Sequence, residues 1–123
     1  MKFLIENKEK YTVVTLKGEK LDATISPDVK AVFVEQVPAN SRNLIFDLSE
    51  SRYCDSSGLS AILVGNRLCS EANGLFVLAG VPEHTQKLIK ISQLDSVFTS
   101  LPTVEEAVDS IFMAEVEKEL GAE

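Results

Sequence analysis

Two short, almost unbroken apolar runs, separated by the length of one helix, constrain this chain more than any other feature. They are Leu44-Ile45-Phe46-Asp47-Leu48 and Leu75-Phe76-Val77-Leu78-Ala79. A strand with one wet face alternates polar and apolar residues, so a run without alternation belongs to a strand buried on both sides. Between them, about Ser57 to Ala72 carries apolar residues at helical spacing, and Asn73-Gly74 supplies a stop. Two buried strands joined by one helix make a right-handed crossover with the strands parallel. The class is therefore α/β.

The rest of the chain extends that unit. Lys2–Glu6 and Tyr11–Leu16 read as a pair of strands around the polar Asn7-Lys8-Glu9-Lys10, and Gly18 ends the second. Ser26-Pro27-Asp28 opens a helix with Ser26 as its cap, and Val29, Val32, Phe33 and Val37 follow until Pro38 stops it. Pro82 opens a third helix reaching about Ile91, and Val97-Phe98 reads as a short edge strand. Pro102 starts a fourth helix with Val104, Ala107, Val108, Ile111 and Phe112 inward, fraying over Glu115–Glu123. The sum is a mixed sheet of four to five strands with four helices packed against it, forming one domain over residues 1–123. A response-regulator-like receiver has similar length, but it opens on a strand–helix unit with an acidic cluster after the first strand. This chain opens on two successive strands.

Charge narrows the partners. The net charge is −7, and residues 102–123 set seven acidic side chains against Lys118 alone. Phosphate contacts need clustered Lys and Arg, so nucleic acid and anionic membrane are both disfavoured. No apolar run approaches the ~18 residues of a bilayer span. The opening residues lack the long apolar region of a signal peptide. A soluble, cytoplasmic protein follows as the expectation. One histidine, His84, and two separated cysteines, Cys54 and Cys69, offer a metal almost no ligands. No Gly-rich phosphate loop occurs either, so neither metal nor cofactor is expected.

The informative segment is Tyr53-Cys54-Asp55-Ser56-Ser57-Gly58-Leu59-Ser60, where a buried strand runs into the second helix. Ser56 falls at or beside the helix N-cap. In the plainer reading its oxygen accepts a first-turn N–H, worth ~1 kcal/mol. In the sharper one the same hydroxyl is a phosphorylation target. A phosphate adds roughly −1.5 to −2 charge, and the free N–H groups of a helix start accommodate it without unfolding. In projection, Ala61, Ile62, Val64, Gly65, Leu68, Cys69 and Ala72 form the inner face of this helix, with Ser60, Arg67 and Glu71 on the solvent side. Leu59 and Leu63 fall outside the inner arc. Either neighbouring helices cover them, or they form an apolar contact patch running down from Ser56.

These residues resemble a known family, the STAS domain, and within it the bacterial anti-sigma factor antagonists. The likeness covers nearly the whole chain. It includes Leu16-Lys17-Gly18-Glu19-Lys20-Leu21-Asp22-Ala23, similar to the family's Gly-Glu-Leu-Asp loop with Lys20 as an extra residue. It continues through Leu44–Leu48 into Asp55-Ser56-Ser57-Gly58-Leu59, and ends with Gln93-Leu94-Asp95-Ser96-Val97-Phe98 and Val104–Val108. The resemblance implies a binding protein switched by phosphorylation. The unmodified domain binds an anti-sigma factor that is also a serine kinase, which frees the sigma factor. The kinase then phosphorylates Ser56 and the complex dissociates, and a PP2C-type phosphatase restores it. Asp55 orients or caps the loop, Ser57 and Gly58 shape the helix start, and Asp22 lies near Ser56 where it contacts the partner.

Two other classes compete. Stand-alone members of the family also serve as structural or regulatory subunits of larger assemblies, such as transporters or stress-sensing complexes. An enzyme needs a nucleophile and a base. Ser56 has no G-x-S-x-G elbow around it, and Cys54 with His84 is the remaining pairing. A part-buried structural cysteine and an exposed histidine are the simpler assignment. The chain reads as a binding module, not an enzyme.

Overall fold

The computed structural model describes residues 2–37 and 43–121. The chain opens on β1 (Phe3–Asn7) and β2 (Thr12–Leu16), which pair antiparallel with Phe3 opposite Leu16. Lys8 N donates to Tyr11 O at 2.8 Å and Thr12 Oγ1 to Asn7 Oδ1 at 2.9 Å, closing the turn between them. Then follow β3 (Lys20–Leu21), α1 (Ser26–Gln36), β4 (Leu44–Asp47), β5 (Tyr53–Cys54) and α2 (Ser56–Glu71). The remaining elements are β6 (Phe76–Ala79), α3 (Glu83–Ile91), β7 (Thr99–Leu101) and α4 (Val104–Gly121). Five strands form one sheet in the order β1-β2-β4-β6-β7, with β1 antiparallel and every other pairing parallel. This is the mixed sheet with four helices that the apolar runs require.

Alternation along β4 and β6 divides the core. Leu44, Phe46, Phe76 and Leu78 point to one face, where Val29 and Phe33 of α1, Ala61, Ile62 and Cys69 of α2 and Ile89 of α3 cover them. Ile45, Val77 and Ala79 point to the other, against Ala107 and Ile111 of α4. Three helices therefore occupy one side of the sheet and one helix the other. Phe33 is the hinge of the larger cluster. Its ring meets Phe46 at 5.0 Å and Phe76 at 5.5 Å, both edge to face, the arrangement ring quadrupoles favour.

Four local expectations are corrected. The last strand lies at Thr99–Leu101 and not at Val97-Phe98, because Phe98 is buried in the larger cluster and turn bonds run Leu94 N to Ile89 O and Val97 N to Leu94 O. Ser26 is not the cap of α1. That position is Ile25, with no side-chain cap, and the Ser26 hydroxyl donates to Ser57 O at 2.9 Å. Phe112 is not an inward residue of α4. It is exposed and stands edge-on to Tyr11 at 6.1 Å. Nor does α4 fray at Glu115. It continues to Gly121, tied by Asn43 Nδ2 donating to Glu115 Oε2 (3.1 Å) and Lys118 Nζ to Asn73 O (2.9 Å). At the end of α2 it is Asn73, at φ 60°, that turns the chain, and Gly74 N donates to Cys69 O at 2.7 Å. Pro38 lies outside the described residues. No helix among the described residues is long and apolar enough to cross a membrane.

Candidate functional site

The site begins with two strands too short to announce themselves. β3 and β5 have two residues each and pair parallel, Lys20 with Tyr53 and Leu21 with Cys54. Arg52 N and Tyr53 N donate to Glu19 O at 2.7 and 3.0 Å, and Asp55 N donates to Leu21 O at 3.3 Å. The 19–22 segment is thereby stitched to the residues that lead into α2, although the two lie far apart in the sequence.

Asp22 follows directly. Its Oδ1 accepts from Thr24 N (3.0 Å) and Thr24 Oγ1 (2.6 Å), while its carbonyl accepts from Ile25 N (3.1 Å) and Ser26 N (2.8 Å). This turn launches α1. The Thr24 hydroxyl, bonded to the charged form, is the main reason the Asp22 carboxyl sits below its ordinary value. A depressed carboxylate stabilises the turn above the unfolded pKa, and that contribution is lost as pH falls through the folded one.

Asp55 occupies the N-cap of α2 in extended backbone, and its carboxylate accepts from Gly58 N at 3.0 Å. A cap of this kind stabilises a helix by about 1 kcal/mol. The capping role expected of Ser56 therefore falls to Asp55. Ser56 is the first helical residue, it is exposed, and among the described residues its hydroxyl engages no hydrogen bond. The reason is directional. The N-cap side chain in extended backbone folds back over the first turn, whereas a helical N1 side chain projects away from the orphan N–H groups.

Gly58 is buried, not a surface contact. A Cβ there would fall on the Leu21 carbonyl oxygen and lie 2.7 Å from Leu21 Cγ and 2.9 Å from Cys54 Sγ. Its absence lets the first turn of α2 press against β3. Ser57 is half-buried, its carbonyl taken by Ser26. The expected leucine patch divides. Leu59, 7% exposed, belongs to the larger core cluster and is corrected to a packing residue, whereas Leu63 is 37% exposed. Leu59→Ala is expected to lower stability by about 3 kcal/mol. Leu63→Glu is expected to stay within about 0.5 kcal/mol of the parent, with partner binding weakened about tenfold. Urea titrations of the two variants check the contrast; equal losses would place Leu63 in the core.

Ser56, Ser57 and Ser60 of α2 face Ala23, Ser26, Pro27 and Lys30 across a shallow groove of ≈ 330 Å³. Sequence reading missed Lys30 as part of this region. The only signal was its place one turn beyond Ser26, which means nothing until α1 and α2 are known to run side by side. On the far side of β5, the exposed rings of Tyr53 and His84 stack at 5.4 Å, so His84 lies on a surface aromatic and not on a nucleophile. Burial, reinforced by the Asp55 carboxylate, pushes the Cys54 thiol up to about 12, and burial pushes Cys69 to about 12. Both thiols keep their protons at neutral pH, so neither supplies the thiolate that nucleophilic catalysis needs. No group of three or more metal-ligating side chains comes together among the described residues.

A family model described as STAS domain matches residues 2–107 of this geometry. The chain belongs to the STAS domain family. Solved structures agree on the fold. An anti-sigma factor antagonist from Mycobacterium paratuberculosis is 22% identical with a TM-score of 0.78, covering 89% of this chain and 92% of that one. The Bacillus cell fate determinant SpoIIAA in its phosphorylated form is 22% identical with a TM-score of 0.71, covering 89% and 98%. A sulfate transporter family protein from Wolinella succinogenes is 11% identical with a TM-score of 0.73, covering 84% and 85%. Within this STAS domain, the β3–β5 pairing brings Asp22, Asp55, Ser56 and Ser57 to one end of the molecule, and Leu63 lies two turns along α2. Residues 108–121, most of α4, lie beyond the stretch that the family model matches.

Proposed function

We propose that this STAS domain is an anti-sigma factor antagonist that works as a phosphorylation-switched binding protein. In the unmodified state it docks an anti-sigma factor serine kinase and releases the sigma factor. The kinase then transfers the γ-phosphoryl group of ATP to Ser56 Oγ, with ADP leaving and the hydroxyl proton lost, and the complex separates. A PP2C-type phosphatase returns the hydroxyl by hydrolysis.

One observation carries the reading: Ser56 is the exposed hydroxyl at the head of α2, without a hydrogen bond among the described residues, while Asp55 performs the capping that would otherwise occupy it. A phosphate there meets the positive end of a helix of 16 residues, and Lys30 lines the adjoining groove. Asp22, Asp55 and Ser57 shape and flank the docking loop, Gly58 lets it close on β3, and Leu63 adds an apolar contact. Two protonated, buried thiols and a stacked histidine favour binding over catalysis. The likeness to SpoIIAA, solved in a phosphorylated form, supports the same reading.

Incubation with the kinase and ATP, followed by peptide mass spectrometry, is expected to place a single phosphate on Ser56 and none on Ser56→Ala. A phosphate mapped to Ser57 overturns the assignment. The likeness to a sulfate transporter family protein favours a second reading, a regulatory subunit of a larger assembly. That reading requires a constitutive complex indifferent to Ser56→Asp.

A further inference from the structure

The side of α4 turned away from the sheet is unusual for a helix packed on one face only. Met113, Val116 and Leu120 are 61%, 49% and 66% exposed, and they recur at i, i+3 and i+7. That spacing lays three apolar side chains in one line along the last turns of the helix, the seam that a second helix fills. The inward residues are different ones: Ala107 and Ile111 pack under the sheet and half-buried Glu115 accepts from Asn43, while the exposed Lys118 reaches the Asn73 carbonyl. The outward line is therefore not a continuation of the core stripe.

On α4 itself the exposed charges beside the line are acidic. Asp109 precedes the line and Glu117 and Glu119 flank it, all three exposed, while the exposed Lys118, the lone cation of the helix, is engaged by the Asn73 carbonyl. A second copy of this chain would bring acidic rim against acidic rim, and an anionic membrane would meet the same repulsion. An apolar seam between acidic edges is complementary to an apolar seam between cationic edges. We infer that the outward line of α4 docks an amphipathic helix of a partner protein whose apolar stripe is edged by Lys or Arg.

The surface is separate from the Ser56 end. α2 lies on the face of the sheet that buries Phe46 and Leu78, and α4 lies on the opposite face with Ile45 and Val77. The line also falls wholly within the residues beyond the family match. One molecule can hold both partners at once, and modification of Ser56 leaves the α4 contact unaltered.

Two labelled synthetic helices test this, one with a leucine stripe edged by lysine and one with the same stripe edged by glutamate. By fluorescence anisotropy the full chain is expected to bind the lysine-edged helix at least about tenfold more tightly. The double variant Val116→Ser with Leu120→Ser keeps every charge and is expected to lose at least about tenfold. Met113→Ser, at the first position of the line, gives an independent reading with a smaller loss. Reversing the rim with Glu117→Lys and Glu119→Lys is expected to shift preference toward the glutamate-edged helix. Ser56→Asp is expected to change none of these values, which keeps this surface distinguishable from the phosphorylation switch. Unchanged lysine-edged binding by both serine variants would mean attraction by charge alone and overturns the proposal. A concentration-dependent dimer abolished by the double variant in sedimentation overturns it too, by assigning the line to a second copy.

Discussion

A phosphate on Ser56 is expected to weaken partner binding at least about tenfold while leaving the fold in place. The magnitude comes from Coulomb's law. Two charges at ~5 Å from one partner carboxylate, at an effective dielectric of ~20, repel by about 6 kcal/mol before salt screening. Each ~1.4 kcal/mol is a factor of ten, so a quarter of this repulsion is enough. The fold survives because Asp55 caps α2, and among the described residues Ser56 Oγ makes no hydrogen bond for the modification to break. Ser56→Asp adds only one charge on a shorter arm and should release the partner incompletely, and Ser56→Ala should bind throughout. Calorimetric titration of the two modification states, with thermal melts alongside, checks both halves. Retained affinity in the phosphorylated form would sink the switch, and a large fall in melting temperature would turn it into an unfolding event.

Gly58→Ala is expected to destabilise the domain by about 3 kcal/mol, near the upper end for overpacking, with the melting temperature lowered by roughly 10 °C. In most helix interiors the same change is worth up to ~1 kcal/mol in the opposite direction. The sign reverses here because the new methyl would meet Leu21 O, a backbone atom, with Leu21 Cγ and Cys54 Sγ on its other sides. A side chain can swing away; a strand carbonyl moves only by carrying its strand with it. Relief would push β3 from β5 and take the Asp22 turn with it, so partner binding should fall as well. A thermal melt reads the first effect and titration of the folded protein at low temperature the second. A melting temperature equal to or above the parent's would show that the contact between α2 and β3 is looser than its geometry indicates.

Much of the architecture was legible because it depends on patterns that repeat over many residues. Leu44–Leu48 and Leu75–Ala79 lack alternation, and only a strand buried on both faces tolerates that. The inner face of α2, from Ala61 to Cys69, follows from helical periodicity alone. Elements of two residues have no period, so β3 and β5 left no trace, and with them went the reason that Asp22 stands beside Asp55. The split between Leu59 and Leu63 was equally invisible. Both fall off the inner arc of α2, and only the tertiary packing decides that Leu59 joins the larger core cluster while Leu63 stays 37% exposed.

The candidate site divides the same way. The segment Asp55-Ser56-Ser57-Gly58 marks a helix start by residue type, because short polar side chains and glycine suit the unpaired N–H groups there. Residue type cannot say which oxygen does the capping. That depends on which residue holds extended backbone, and the pairing of β5 with β3 sets it. What the order of amino acids determined is the set of elements and their buried faces, since those rest on local geometry and on the removal of apolar surface from water. What the tertiary structure alone decided is the company each side chain keeps: Asp55 with Gly58, Ser26 with Ser57, Lys30 across from Ser60, and the outward line of α4 left exposed among the described residues. Those are contacts between residues far apart along the chain or choices among near neighbours, and neither has a spacing that a linear pattern can carry.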